Sequence, residues 1–217
     1  MQILLISSSP HKEKSRTFLL TKEVLKGFLV SVKTEILHLC DLKIEFCRHC
    51  ESCHRKIMNC PIKDDARMIQ EKMLAAYGII FASPNYINQI TASMKALWDR
   101  AAHFIHCRRL LGKYIVGVVS SGSGRDKTVL DYIQYYAHTC GAQYAGGISS
   151  SAWTIKEKEE EARNLGSKLI SDIQEKINFP EQEKVIEQSR EYFKNVMLMR
   201  KEDWVEEYQY WRDKGWL

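Results

Sequence analysis

Proline is scarce in this chain, with 4 in 217 residues, and glycine numbers only 11. That excludes collagen-like and proline-rich disordered classes. No window approaches the roughly 18 consecutive apolar residues of a membrane-crossing helix. No basic leader precedes the apolar start Met1-Gln2-Ile3-Leu4-Leu5-Ile6-Ser7. That run is also shorter than the roughly 7–15 residues of a secretory core, so it reads as a first strand and the chain as cytoplasmic. Charge of one sign is in small surplus: 32 Lys and Arg against 27 Asp and Glu give +5. This falls short of a nucleic-acid footprint and suits small anionic ligands better. Both the G-x-x-x-x-G-K-[ST] loop and the G-x-G-x-x-G turn are missing, which removes support for ATP, GTP and Rossmann-type dinucleotide binding. Neither a membrane nor a nucleic acid is an expected partner.

What is present is an ordinary globular composition, 45% hydrophobic and 27% charged, at a length of one domain with an appendage. Five short apolar runs, at residues 3–6, 35–39, 77–82, 114–120 and 143–149, alternate with stretches of helical periodicity at 17–28, 65–75, 93–105, 128–140 and 157–177. Runs such as Tyr77-Gly78-Ile79-Ile80-Phe81 are almost continuously apolar, as in strands covered by helices on both faces. The pattern predicts a doubly wound α/β domain over residues 1–179. Beyond it, 181–200 reads as a polar amphipathic helix, and the end of the chain carries Trp204, Trp211 and Trp216. Residues 180–217 therefore form a helical, aromatic-rich extension that packs either on its own domain or on a second subunit.

In such sheets a ligand lies outside the carboxyl ends of the strands, where the strand order reverses. After the first strand, Ser7-Ser8-Ser9-Pro10-His11-Lys12-Glu13-Lys14-Ser15-Arg16-Thr17 runs into a helix. A helix start with hydroxyls and cations suits a phosphate, and Ser15 equally suits a plain helix cap. The third strand leads into Ser83-Pro84-Asn85-Tyr86-Ile87-Asn88, which offers amide edges and one flat ring. The fourth leads into Ser120-Ser121-Gly122-Ser123-Gly124, whose glycines permit close approach of a planar ligand.

Together these loops resemble those of the flavodoxin-like NAD(P)H-dependent FMN reductases. The matching residues are Ser9-Pro10-His11, Ser15 and Thr17, then Pro84-Asn85-Tyr86, then Met94-Lys95-Ala96-Leu97-Trp98-Asp99. The resemblance spans roughly residues 1–177 and implies a five-stranded parallel sheet in the order 2-1-3-4-5. It further implies FMN as cofactor and NAD(P)H as co-substrate. By the same resemblance Ser9, His11, Ser15, Arg16 and Thr17 would hold the FMN phosphate. Ser83, Pro84, Asn85, Tyr86, Ile87 and Asn88 would lie along the ring, with Ser120, Ser121, Gly122 and Gly124 closing its other side. His11 stands where the family often has Arg, and Gln89 where a small hydroxyl residue is common. The family's dimers and tetramers, with the aromatic extension, make a homodimer or homotetramer the expected assembly.

A cysteine-rich insert occupies residues 40–63, after the second strand. Cys47, Cys50, Cys53 and Cys60 follow C-x₂-C-x₂-C-x₆-C-P, close to the bacterial ferredoxin run, in which short gaps let thiolates reach different irons of a cubane. A zinc site more often shows two separated pairs, and His49 and His54 do not restore finger spacing. Lys43, Arg48, Arg55, Lys56 and Lys63 would offset the negative charge of a cluster. The motif resembles that of the iron–sulfur flavoproteins, which implies a [4Fe–4S] cluster near FMN, while zinc or four free thiols stay open alternatives. Cys40, Cys107 and Cys140 read as buried apolar residues. His103, His106, Arg108 and Arg109 read as cations at a helix C-terminus, and Asp64-Asp65 as a helix cap. The expected function is an FMN-dependent oxidoreductase exchanging electrons with a small molecule or a ferredoxin-like partner. A thiol or zinc redox sensor on the same fold is the alternative.

Overall fold

The computed structural model describes residues 1–122, 124–151 and 153–217. Five strands, β1 (Gln2–Ser7), β2 (Lys33–His38), β3 (Gly78–Pro84), β4 (Tyr114–Ser121) and β5 (Gln143–Ser151), pair in parallel in the order β2-β1-β3-β4-β5. This is the flavodoxin-like arrangement expected from the sequence. Side chains alternate across a strand, so neighbours enter different cores. Leu4, Ile6, Ile79, Phe81 and Ile115 meet α3 (Ala66–Ala75), α4 (Ala92–Asp99) and α6 (Lys127–Thr139) on one face. On the other face Ile3, Leu5, Ile80, Val116 and Val118 meet α1 (Arg16–Lys26) and α7 (Glu159–Glu175). Two covered faces explain why the central strands read as unbroken apolar runs.

Helices α1 and α7 touch backbone to backbone. A Cβ at Gly27 would lie 1.9 Å from the Arg163 carbonyl oxygen, and one at Gly166 would lie 1.9 Å from that of Val24. Only hydrogen fits at either position.

The helix expected over residues 93–105 is two, α4 and then α5 (Ala102–His106). The Arg100 carbonyl accepts from Gln70 Nε2 at 2.9 Å, and Ala101 leaves helical geometry at φ −108°, ψ 30°. A tertiary bond has taken over a group that a continuous helix would use itself. A short α2 (Ser52–Arg55) forms inside the cysteine-rich segment. Helix α8 (Pro180–Met199) has its proline in the first turn, where no N–H is needed, and α9 (Val205–Asp213) follows. Met197, Trp204 and Trp211 build a third small core. Trp211 Nε1 donates to the His106 carbonyl at 3.0 Å, so these tryptophans pack on their own chain. No helix among the described residues is long and apolar enough to cross a membrane.

Candidate functional site

The carboxyl ends of β1, β3 and β4 bring three loops to one place. Ser15 caps α1, its Oγ accepting from the Phe18 amide at 3.0 Å. Two residues on, Thr17 is buried, with its hydroxyl 2.6 Å from Ser120 Oγ at the end of β4. The Asn85 amide donates to the Ser120 carbonyl at 2.8 Å, and Asn85 Nδ2 donates to Ser121 Oγ at 3.0 Å. Ser9 is buried, whereas His11 and Arg16 point to solvent. The Oγ of Ser7, buried at the mouth of the first loop, has no hydrogen-bond partner among the described residues.

Ser83 Oγ accepts from the Thr91 amide at 3.1 Å and ties the third loop to the start of α4. Between Pro84 and Thr91 the chain makes a tight hairpin, with Tyr86 and Gln89 exchanging both backbone bonds at 2.9 and 3.1 Å. Its tip residues Ile87 and Asn88 take φ 52° and 59°. Asn tolerates that region, but a β-branched Ile at 99% exposure does so at a cost of roughly 1–3 kcal/mol. Gly122 and Gly124 are exposed, and Gly124 has φ 73°. Ser123 of the fourth loop lies outside the described residues.

The four cysteines of the insert, Cys47, Cys50, Cys53 and Cys60, line a single cavity of about 240 Å³ with Arg48, His49, Glu51, His54, Asp99 and Arg100. Left-handed residues at His49, Glu51 and Met58 turn the chain around it. The Cys50 sulfur lies 3.5 Å from Ser52 Oγ, and this hydrogen bond holds the Cys50 thiol below its ordinary pKa. Arg100 Nη2 donates to Cys60 Sγ at 3.3 Å. Cys107 and Cys140 are buried as expected, with burial pushing both thiols up. Cys40 is exposed instead, its thiol 3.7 Å from the Ser9 carbonyl, because the turn after edge strand β2 leaves it uncovered.

Two expectations change around this cavity. Asp64 does accept from the Ala66 amide at 3.2 Å as a cap would, but it also accepts from the Glu45 amide and pairs with Arg100. Burial opposes the charge of Asp64, yet the guanidinium and these amides hold its carboxyl below the usual range. Asp65 gives α3 no side-chain cap and accepts from the Lys43 amide instead. His103, His106, Arg108 and Arg109 are not a solvated helix end, because the C-terminal extension meets His106, Arg108 and Arg109 while His103 is buried against Met58. Arg108 Nη2 donates to the Ile186 carbonyl at 2.7 Å, and Arg109 lies over the Tyr210 ring. Burial drives the pKa of His103 down to about 3.

Glu207 of α9, wholly buried, accepts from His54 Nδ1 at 2.8 Å through one oxygen and from His106 Nδ1 at 3.0 Å through the other. The two imidazoles stack on each other and on Trp204. Burial disfavours a charged His54, but the Cys53 thiol and Glu207 outweigh it and push its pKa up to about 10. Burial likewise disfavours the Glu207 carboxylate, but bonds from His106 and His54 hold it below its ordinary value. Nearby, Glu51 accepts from Arg200 at 2.5 Å and from Trp204 Nε1 at 3.2 Å, and the Ile57 amide donates to Glu206. Sequence reasoning missed Glu207, His106, Arg100 and Asp64 as parts of this site. Only the position of Arg100 directly after Asp99 and of His54 directly after Cys53 could have drawn notice.

Residues 1–154 match the family model described as NADPH-dependent FMN reductase. An iron–sulfur flavoprotein of Methanocaldococcus jannaschii is 30% identical over 190 residues, covering 80% of this chain and 97% of that one. An iron–sulfur flavoprotein of Archaeoglobus fulgidus is 26% identical over 225 residues and matches both chains over their full lengths. Among solved structures, the NAD(P)H:quinone oxidoreductase from Methanothermobacter marburgensis superposes with a TM-score of 0.59 at 16% identity. It covers 78% of this chain and 96% of that one.

Proposed function

The chain belongs to the NADPH-dependent FMN reductase family, in its iron–sulfur flavoprotein branch, and from that footing we propose the finer reading. It is an FMN oxidoreductase whose four-cysteine cavity holds a [4Fe–4S] cluster, with NAD(P)H or a reduced carrier as electron donor. The observation that carries the cluster is the convergence of Cys47, Cys50, Cys53 and Cys60 on one cavity. The C-x₂-C-x₂-C-x₆-C spacing, close to the ferredoxin run and unlike two separated pairs, supports the cluster over zinc.

Bound FMN supplies the electron-accepting ring chemistry; the rest falls to the chain. The start of α1 aims free amides and a positive dipole end at an anion, and Ser9, Ser15 and Thr17 crowd hydroxyls around that point. The unpartnered Ser7 hydroxyl offers a further donor there. His11 and Arg16 lie at the solvent side of the same loop and would balance a phosphate's charge. Residues Pro84 to Asn88 set a wall along the ring, with Asn85 pinned by Ser120 and Ser121, and the Gly122 and Gly124 loop closes the other side. Along the cysteine segment, Arg48, Arg55, Lys56 and Lys63 are exposed and suit an acidic, ferredoxin-like electron partner. An assembly of two or four copies accords with the family.

The test is an anaerobic absorption spectrum with iron and acid-labile sulfide analysis on one sample. Flavin bands with about four irons per chain are expected. Flavin without iron after reconstitution would overturn the cluster, and zinc bound in its place would return the sensor reading.

A further inference from the structure

Arg100 sits at the end of α4, the helix that follows the β3 loop, and its guanidinium is 2% exposed. One fork reaches both stems of the cysteine segment. Nη1 donates to the Glu45 carbonyl at 3.0 Å, before the first cysteine, and to Asp64 Oδ2 at 2.6 Å, after the last. Nη2 donates to Asp64 Oδ1 at 3.1 Å, to the Ile62 carbonyl at 3.5 Å and to Cys60 Sγ at 3.3 Å. The Asp64 carboxylate is wholly buried. A buried pair of this kind is weak evidence of stability for its own sake, because desolvation offsets most of the attraction.

Its placement is what matters. Nη2 meets both Cys60 and Asp64, so the guanidinium presents its charge to the sulfur while the carboxylate offsets part of that charge. Cys60 meets a buried guanidinium, whereas Cys53 meets the buried imidazole of His54. Taking up one electron makes a four-thiolate cluster one charge more negative, with no proton needed for balance. A donor fixed on a ligand sulfur in a place of low dielectric favours that more negative state.

Resting on the cluster reading above, we propose that Arg100 is a positioning residue that sets the electron affinity of the cysteine site through Cys60, with Asp64 as its counterweight. The proposal predicts opposite signs for two neutralising substitutions. Arg100→Gln removes the positive charge and makes the site harder to reduce. Asp64→Asn removes the offsetting negative charge, leaves the guanidinium uncompensated and makes the site easier to reduce. Damage to a mere strut would move both variants the same way.

The experiment is an anaerobic potentiometric titration of the reconstituted full-length protein, followed by electron paramagnetic resonance for the cluster and by absorbance for the flavin. For Arg100→Gln the reduced-to-oxidised ratio at fixed potential should fall about tenfold, 59 mV for a one-electron couple. For Asp64→Asn it should rise, and Arg100→Lys, which keeps charge but loses the fork, should recover most of the Arg100→Gln loss. The flavin potential should hold in all three. Unmoved cluster potentials, or shifts of one sign in both neutral variants, would overturn the assignment while leaving the cluster in place. Should Arg100→Gln fail to take up iron, Asp64→Asn and Arg100→Lys decide: a rise in the first and a near-wild-type value in the second uphold it, and any other pair refutes it. Absence of iron from the wild-type protein itself would sink the underlying cluster reading.

Discussion

Glu207→Ala should free the C-terminal extension from the cysteine segment without unfolding the sheet. The carboxylate takes one hydrogen bond from each of two imidazoles in a wholly buried place. A hydrogen bond to a charged group is worth about 1.5–3 kcal/mol, so two give about 3–6. Breaking a buried pair by removing one partner independently gives about 3–5 kcal/mol. At a factor of ten for each 1.4 kcal/mol, the lower shared bound of about 3 is already more than a hundredfold in an opening equilibrium. The cost falls on the tail because the core of Met197, Trp204 and Trp211 is separate from the two that sandwich the sheet. Hydrogen exchange by mass spectrometry should show peptides covering residues 200–213 exchanging at least a hundredfold faster, with β1 and β3 unchanged. Tail exchange within about threefold of wild type would refute the reasoning, as would equal acceleration throughout the sheet.

Ser15→Ala removes the cap on the Phe18 amide and should cost about 1 kcal/mol of stability, read as a lower urea midpoint at unchanged slope; an unchanged midpoint counts against the cap. Gly166→Ala drives a methyl into the Val24 carbonyl and should lower the melting temperature by the equivalent of about 1–3 kcal/mol, and an unaltered melt would contradict the close approach of α1 and α7. On the acid side, Asp64 and Glu207 are held below their ordinary values and His103 is lowered to about 3. Such groups stabilise the fold above their unfolded pKa values, and the benefit is lost as pH falls through the folded ones. The urea midpoint of metal-free protein should therefore decline steadily from about pH 6.5 downward, more shallowly in His103→Gln. His54 carries the opposite sign: raised to about 10, its contribution is complete below 6.5 and lost as pH rises through 10. Tail exchange in metal-free protein should accelerate over that interval, and a flat profile would remove His54 from the contact.

The sheet was legible because its central strands advertise themselves locally: residues 79–82 and 115–119 are apolar on both faces, a run too short for a buried helix and unsuited to one with a solvent face. Ser15 was legible for the same reason, since a cap acts within three residues. The break at Arg100 was not, because apolar spacing runs on through Ala101 and Phe104 while the cause, Gln70, is 30 residues away. The setting of the cysteines was half legible. Their spacing is a local signal, whereas Asp64 looked like an ordinary cap and Glu207 like one more acid on a polar helix. Long-range polar contacts leave no period in the sequence. The exposure of Cys40 was misjudged because cysteine's general preference for the interior says nothing about a turn at a sheet edge.

Glu207 follows His54 by 153 residues, which has a consequence for biosynthesis. At about 5–20 residues per second, the ribosome releases the cysteine segment roughly 8–30 s before the residue that fastens it. During that interval the sheet can form from β1 to β5 while the thiols still lack their final wall. Anything delivered to them early meets an open, mobile segment. The fastening of α9 comes only once Glu207 has been added, and it closes over whatever has been loaded.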